Sequence, residues 1–218
     1  MRCEPRSTVA FGATALLLIV AVSVPALAFQ YPLSSTDIRD AYFLGRSKSD
    51  SSATFLAQYV RKLDAPPRGS FVSRISIDTP YTEVAAYSAA AANYDAPTAV
   101  QDFQGKPMTV RVEVQIMLTD TYQPGSVAGQ ANAAPDYPPF WQDFKIKLIQ
   151  DKEVEAKSVR GKFIYPPMYN GNGPVWPIGA AVDLTYSPES VDSAPTTVRV
   201  TTPDGQRIEV KFDLSVLR

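Results

Sequence analysis

The chain has 218 residues, 21 basic and 22 acidic side chains, 19 prolines, a single cysteine (Cys3) and no histidine. Near-neutral charge gives no electrostatic footprint for nucleic acid or for an anionic membrane surface. Without histidine, imidazole acid/base catalysis, Ser-His-Asp and Cys-His nucleophile pairs and the commonest metal ligand are excluded.

The first element in chain order is an address label. Arg2 and Arg6 precede an apolar run from Val9 to Val24, followed by Pro25 and Ala26-Leu27-Ala28. This is the charged, apolar and small-residue order of a secretory signal peptide, with cleavage expected after Ala28. The alternative is an uncleaved anchor, since the run is just long enough to span a bilayer. Cleavage leaves residues 29–218 without cysteine as well as without histidine, one unit more negative than the full chain's −1. Such a protein is expected in the periplasm or outside the cell, with no membrane span after cleavage. It depends on its own core rather than on disulfides. A chain of this size manages that by burying roughly 70% of its unfolded surface.

Residues 29–66 read as a helical hairpin. Ser34 or Ser35 caps a first helix with Ile38, Ala41, Tyr42 and Gly45 on one face. After the polar break Ser47–Ser52, a second helix carries Phe55, Leu56, Tyr59, Val60 and Leu63 at helical spacing. Asp64-Ala65-Pro66-Pro67 stops it.

Residues 67–218 read as the main body. Phe71, Ser73, Ile75 and Ile77 alternate with Val72, Arg74, Ser76 and Asp78, as a half-buried strand does. Thr79 as cap and Pro80 in the first turn start an alanine-rich helix reaching toward Asn93, and Thr98–Gln104 adds a turn. The strongest alternation places Val110, Val112, Val114, Ile116 and Leu118 on one face, with Arg111, Glu113, Gln115 and Met117 on the other. Asp143–Gln150, Val159–Tyr165 and Ala180–Tyr186 are further strands. Arg160-Gly161-Lys162 is read as a bulge within one of them. Pro203-Asp204-Gly205-Gln206 joins a final hairpin with Val198 and Val200 before it and Ile208, Val210, Phe212 and Leu214 after it.

About seven short strands separated by Gly/Pro-rich turns predict an immunoglobulin-like antiparallel β-sandwich. In this reading the fold is mainly β, with a helical N-terminal part and a helical insertion near 80–104. The alternative is an α+β fold in which helices cover one antiparallel sheet.

Chemistry-bearing residues are sparse. Tyr137, Trp141, Tyr165, Tyr169 and Trp176 stand in two Pro/Gly-rich loops, 120–141 and 165–177, where rings can stack on sugars or dock on a peptide. The same rings can instead plug the open end of a sandwich, because aromatic burial is strongly stabilising. Asp136, Asp143, Asp151, Glu153 and Glu155 are the carboxylates nearest those loops, and a glycosidase would need two of them across a sugar. No G-x-S-x-G elbow, S-x-x-K pair, phosphate loop or calcium loop occurs. No catalytic residue, metal ligand or cofactor is therefore assigned. The expected function is non-catalytic: an exported structural or interaction component of a bacterial-type cell envelope, contacting an envelope protein or polysaccharide. Glycan binding through the aromatic loops and a carboxylate-dependent hydrolase are the alternatives.

Overall fold

In a computed structural model, residues 31–47, 49–119, 138–166 and 177–217 are described. Among them the chain is β-rich α+β, with two antiparallel sheets, nine strands and four α-helices. The helices are α1 (Ser35–Arg46), α2 (Asp50–Ala57), α3 (Pro80–Ala90) and α4 (Ala96–Phe103). The strands are β1 (Val60–Lys62), β2 (Ser70–Asp78), β3 (Val110–Leu118), β4 (Lys145–Ile149), β5 (Glu153–Val154), β6 (Ser158–Ile164), β7 (Gly179–Tyr186), β8 (Pro195–Thr201) and β9 (Arg207–Asp213). One sheet has the order β1-β2-β3-β7-β6 and the other β5-β4-β8-β9.

The helices start where the local chemistry says they must. Ser34 accepts from the Asp37 amide while the Asp37 carboxylate accepts from the Ser34 amide, a reciprocal capping box. Thr79 and Thr82 make the same exchange at the start of α3, with Pro80 in the first position. Asp95 caps α4 by accepting from Thr98. Helix α1 packs on α3 and α4. Together with Leu33 and Met108 they bury Ile38, Ala41, Tyr81, Val84, Ala85, Ala99 and Phe103 as one cluster. The approach is close: a Cβ on Gly45 would lie 2.0 Å from the Ala85 carbonyl oxygen, so only glycine fits there.

The main core takes side chains from both sheets. Ile75, Ile77, Val110, Val112, Val114 and Ile116 from the first sheet share one buried cluster with Leu148, Val198, Val200, Val210 and Phe212 from the second. Each such side chain contributes roughly 1.5–3 kcal/mol through removal from water. The outward face of the five-stranded sheet is polar, and Arg111 ties three of its strands together. It donates to Asp78 at 2.7 Å and lies 3.8 Å from Asp183.

Three local expectations change. Helix α2 ends at Ala57, and Val60–Lys62, expected to continue it, is a strand paired with β2. The Ile77 amide donates to the Tyr59 carbonyl and the Leu63 amide to the Ser73 carbonyl, so β2 supplies partners that override the helical spacing. In β2 the register shifts between Val72 and Arg74. That bulge at Ser73 moves the inward face from even to odd positions, so Val72 is buried and Phe71 and Ser73 are not. By contrast β6 runs through Arg160-Gly161-Lys162 in unbroken register with β7, so no bulge occurs there.

Candidate interaction surface

The two sheets close differently along their two flanks. On one flank β1 and β9 end their sheets, and the Arg61 guanidinium of β1 stands 5.0 Å over the Phe212 ring of β9. On the other flank β5 contains two residues while β6 contains seven. The second sheet therefore stops short beside β6, and a groove of about 600 Å³ opens between the sheets. Its walls are Val159 and Gly161 from β6, Val182 and Leu184 from β7, and Phe144 and Ile146 around the start of β4.

Aromatic side chains close one end of this groove. The 3₁₀ turn Phe140–Asp143 precedes β4 and presents Phe140, only 6% exposed, and half-buried Trp141. The Trp141 ring meets Phe163 of β6 edge to face, with centroids 4.7 Å apart. Phe140 lies 6.2 Å from Phe163 on one side, and Tyr165 lies 6.2 Å from it on the other. The Trp141 indole also presses on the β6 backbone: a Cβ on Gly161 would come within 2.1 Å of its Nε1. Gly161 is thus explained by a close approach of a ring rather than by a break in the strand.

Two of the five loop aromatics singled out from the sequence, Trp141 and Tyr165, fall within the described residues, joined through Phe163. Tyr137, Tyr169 and Trp176 lie outside them. Tyr165 is 49% exposed. The residue that sequence reasoning passed over is Val159, an apolar side chain 61% exposed in the open edge of β6. Its signal was present in the alternation of Val159, Gly161 and Phe163 with Arg160 and Lys162, which distinguishes the two faces of the strand.

The carboxylates are arranged differently from those of a glycosidase. Glu153 on β5 bonds Lys147 at 2.6 Å, Asp143 ends the 3₁₀ turn, and Asp136 lies outside the described residues. Among the described residues lining the groove there is no carboxylate. A second cleft of about 410 Å³, at the start of α3, holds Asp78 and Glu83, with Asp78 bonded to Arg111. Desolvation works against the Arg111 charge. The hydrogen bond and charge of Asp78, helped by Asp183 and Glu113, outweigh it and raise the guanidinium pKa. Asp95, Glu189 and Asp204 are held below the ordinary carboxylate range, chiefly by side-chain hydrogen bonds from Thr98, Ser187 and Thr202. These are cap and turn carboxylates, stabilised as anions, the opposite of a general acid. Among the described residues no three acidic or cysteine side chains gather as a metal would require, and no helix is long and apolar enough to cross a membrane.

No family model, no curated protein and no solved structure matches this chain.

Proposed function

We propose that this is a non-catalytic exported protein that works through surface contacts, as a structural or interaction component of a bacterial-type cell envelope, and that it docks its partner along β6. The observation that carries the proposal is the seven-residue edge of β6, unpaired among the described residues, with exposed Val159 beside an apolar groove. Long sheet edges template the addition of another strand unless they are shortened, covered or charged, and the charges of β6, Arg160 and Lys162, alternate with Val159 and Gly161, which line the apolar groove. The apolar run ending in Ala26-Leu27-Ala28 supports export to the periplasm or beyond the cell.

The fold proposed for this scaffold is an immunoglobulin-like sandwich. The shared core of the two sheets supports it, and so does strand order. With β2 as strand A, the orders β2-β3-β7-β6 and β5-β4-β8-β9 correspond to A-B-E-D and C′-C-F-G. Helices α3 and α4 are then an insertion between strands A and B, and the docking edge is strand D. Such sandwiches serve many functions, so the docking assignment rests on β6 and not on the fold.

A second reading, glycan binding, is favoured by exposed Tyr165 at the end of the aromatic row. Trp141 weakens it, since its ring is engaged by Gly161 and Phe163. The test immobilises the full chain and its Val159→Glu variant and exposes both to solubilised envelope material. A component retained by the wild type and released by the variant is expected. Equal retention on both would remove β6 as the docking edge, and retention of polysaccharide alone would move the assignment to the glycan reading.

A further inference from the structure

We propose that the β6 edge takes up an extended acidic peptide segment of a partner as an added strand. This deepens the docking reading and rests on it. An added strand satisfies the outward N–H and C=O groups of β6 regardless of its sequence, so affinity comes from the backbone and selectivity from the side chains flanking it. On the outward face of the sheet those side chains are Arg160 and Lys162, both exposed, and exposed Lys145 of β4 stands at the groove. Arg160, Lys162 and Lys145 have no ion pair among the described residues; the acid facing Arg160 in register is Asp183 of β7, whose carboxylate also lies 3.8 Å from Arg111. The edge strand itself carries two outward cations and no acid, and acidic side chains at alternate positions of an incoming strand complement it. The intervening positions face Val159 and the groove and favour apolar residues.

The charges also argue against a second copy of this chain as occupant. Pairing two β6 edges antiparallel about Gly161 sets Arg160 across from Lys162 of the second copy. Moving the register by two residues sets Arg160 across from Arg160. Both place like charges directly opposite, which destabilises a cross-strand pair. The other long edge, β9, carries Arg207, Glu209, Lys211 and Asp213 outward, alternating in sign, and its inward Val210 and Phe212 are buried. It offers neither net charge nor an exposed apolar position to a partner.

The test measures binding of fluorescein-labelled peptides to the full chain by anisotropy, together with amide hydrogen exchange across β6 and β9. The probe is a peptide of alternating glutamate and valine. Comparison peptides replace glutamate by lysine or threonine, or methylate alternate backbone nitrogens. The glutamate peptide is expected to bind, to slow exchange within 158–164, and to weaken with added salt. The N-methylated form is expected to fail. The double variant Arg160→Glu/Lys162→Glu should bind the glutamate peptide roughly tenfold more weakly and accept the lysine peptide in its place. Unchanged thermal unfolding would show that the variant is folded, as expected for exposed side chains. Equal binding of the threonine or lysine peptide by the wild type would overturn the acidic preference and leave β6 docking intact. Binding that protects β9, or no protection of either edge by any peptide, would overturn both.

Discussion

The two flanks of this pair of sheets solve the same problem differently. Along β1 and β9, the guanidinium of Arg61 covers the Phe212 ring, and β9 carries outward charges of alternating sign. Along β5 and β6, two residues of β5 stand beside seven of β6, and the gap is filled partly by Phe140 and Trp141 and otherwise left as a groove. The first flank is tied across by Arg61 and Phe212 and keeps a smaller cavity of about 260 Å³ beside Leu63 and Ile208. The second leaves a seven-residue edge uncovered beside a larger groove and an exposed valine, and it is on this pair of features that the proposed docking rests.

Mutation can break this comparison, beginning with the β1–β9 flank. Phe212→Ala removes a ring 2% exposed in the shared core and is expected to cost about 3–5 kcal/mol in chemical denaturation. A loss below about 1 kcal/mol would show that this flank is no better packed than the other. Next comes the plug of the open flank. Gly161→Ala drives a methyl group into Trp141 and is expected to cost about 1–3 kcal/mol. In a double-mutant cycle, much of that loss should disappear when Trp141→Ala is already present, because the clash then has no second partner.

A pH titration probes how far water reaches behind the groove. Tyr186 follows groove-lining Leu184 on β7, and burial, with a smaller contribution from the Glu153 charge, pushes its phenol pKa above the ordinary value. Folding therefore favours the protonated phenol. This contribution to stability is intact below about pH 10 and is lost as pH rises above it, by up to about 1.4 kcal/mol per pH unit. Tyr186→Phe should flatten that alkaline slope. A slope unchanged by the substitution would mean that water reaches the phenol. The smallest effect on stability belongs to Val159→Glu, expected within about 0.5 kcal/mol of wild type, since the side chain is already exposed. Its effect should fall on docking. A variant that unfolds readily would place Val159 in the core rather than on a binding edge.

Much of the mainly β, antiparallel character was legible in residue order. The alternation from Val110 to Leu118, the Thr79-Pro80 helix start and the turn at Pro203–Gln206 are local signals, and each appears as read. The polar face opposite Val110, Val112 and Val114 was equally plain, although its Arg111–Asp78 bond required two strands to meet. Of the aromatic loop residues, the pattern could say that Trp141 and Tyr165 flank strands. It could not say that Trp141 would lie on a glycine backbone.

What residue order determined by itself was periodicity, caps and turns, because these depend on neighbours within a few residues and on the stereochemistry of proline and glycine. Tertiary structure decided the rest. Val60–Lys62 became a strand because β2 had backbone groups to pair, overriding a helical pattern of similar weight. The inward face of β2 changed at Ser73 because two strands matched register only with one residue left over. Gly161 was kept free of a side chain by a ring distant in sequence, and β6 became an open edge because β5 stopped after two residues. Edges, bulges and close approaches depend on which segments become neighbours, and that is a property of the packed chain rather than of any stretch within it.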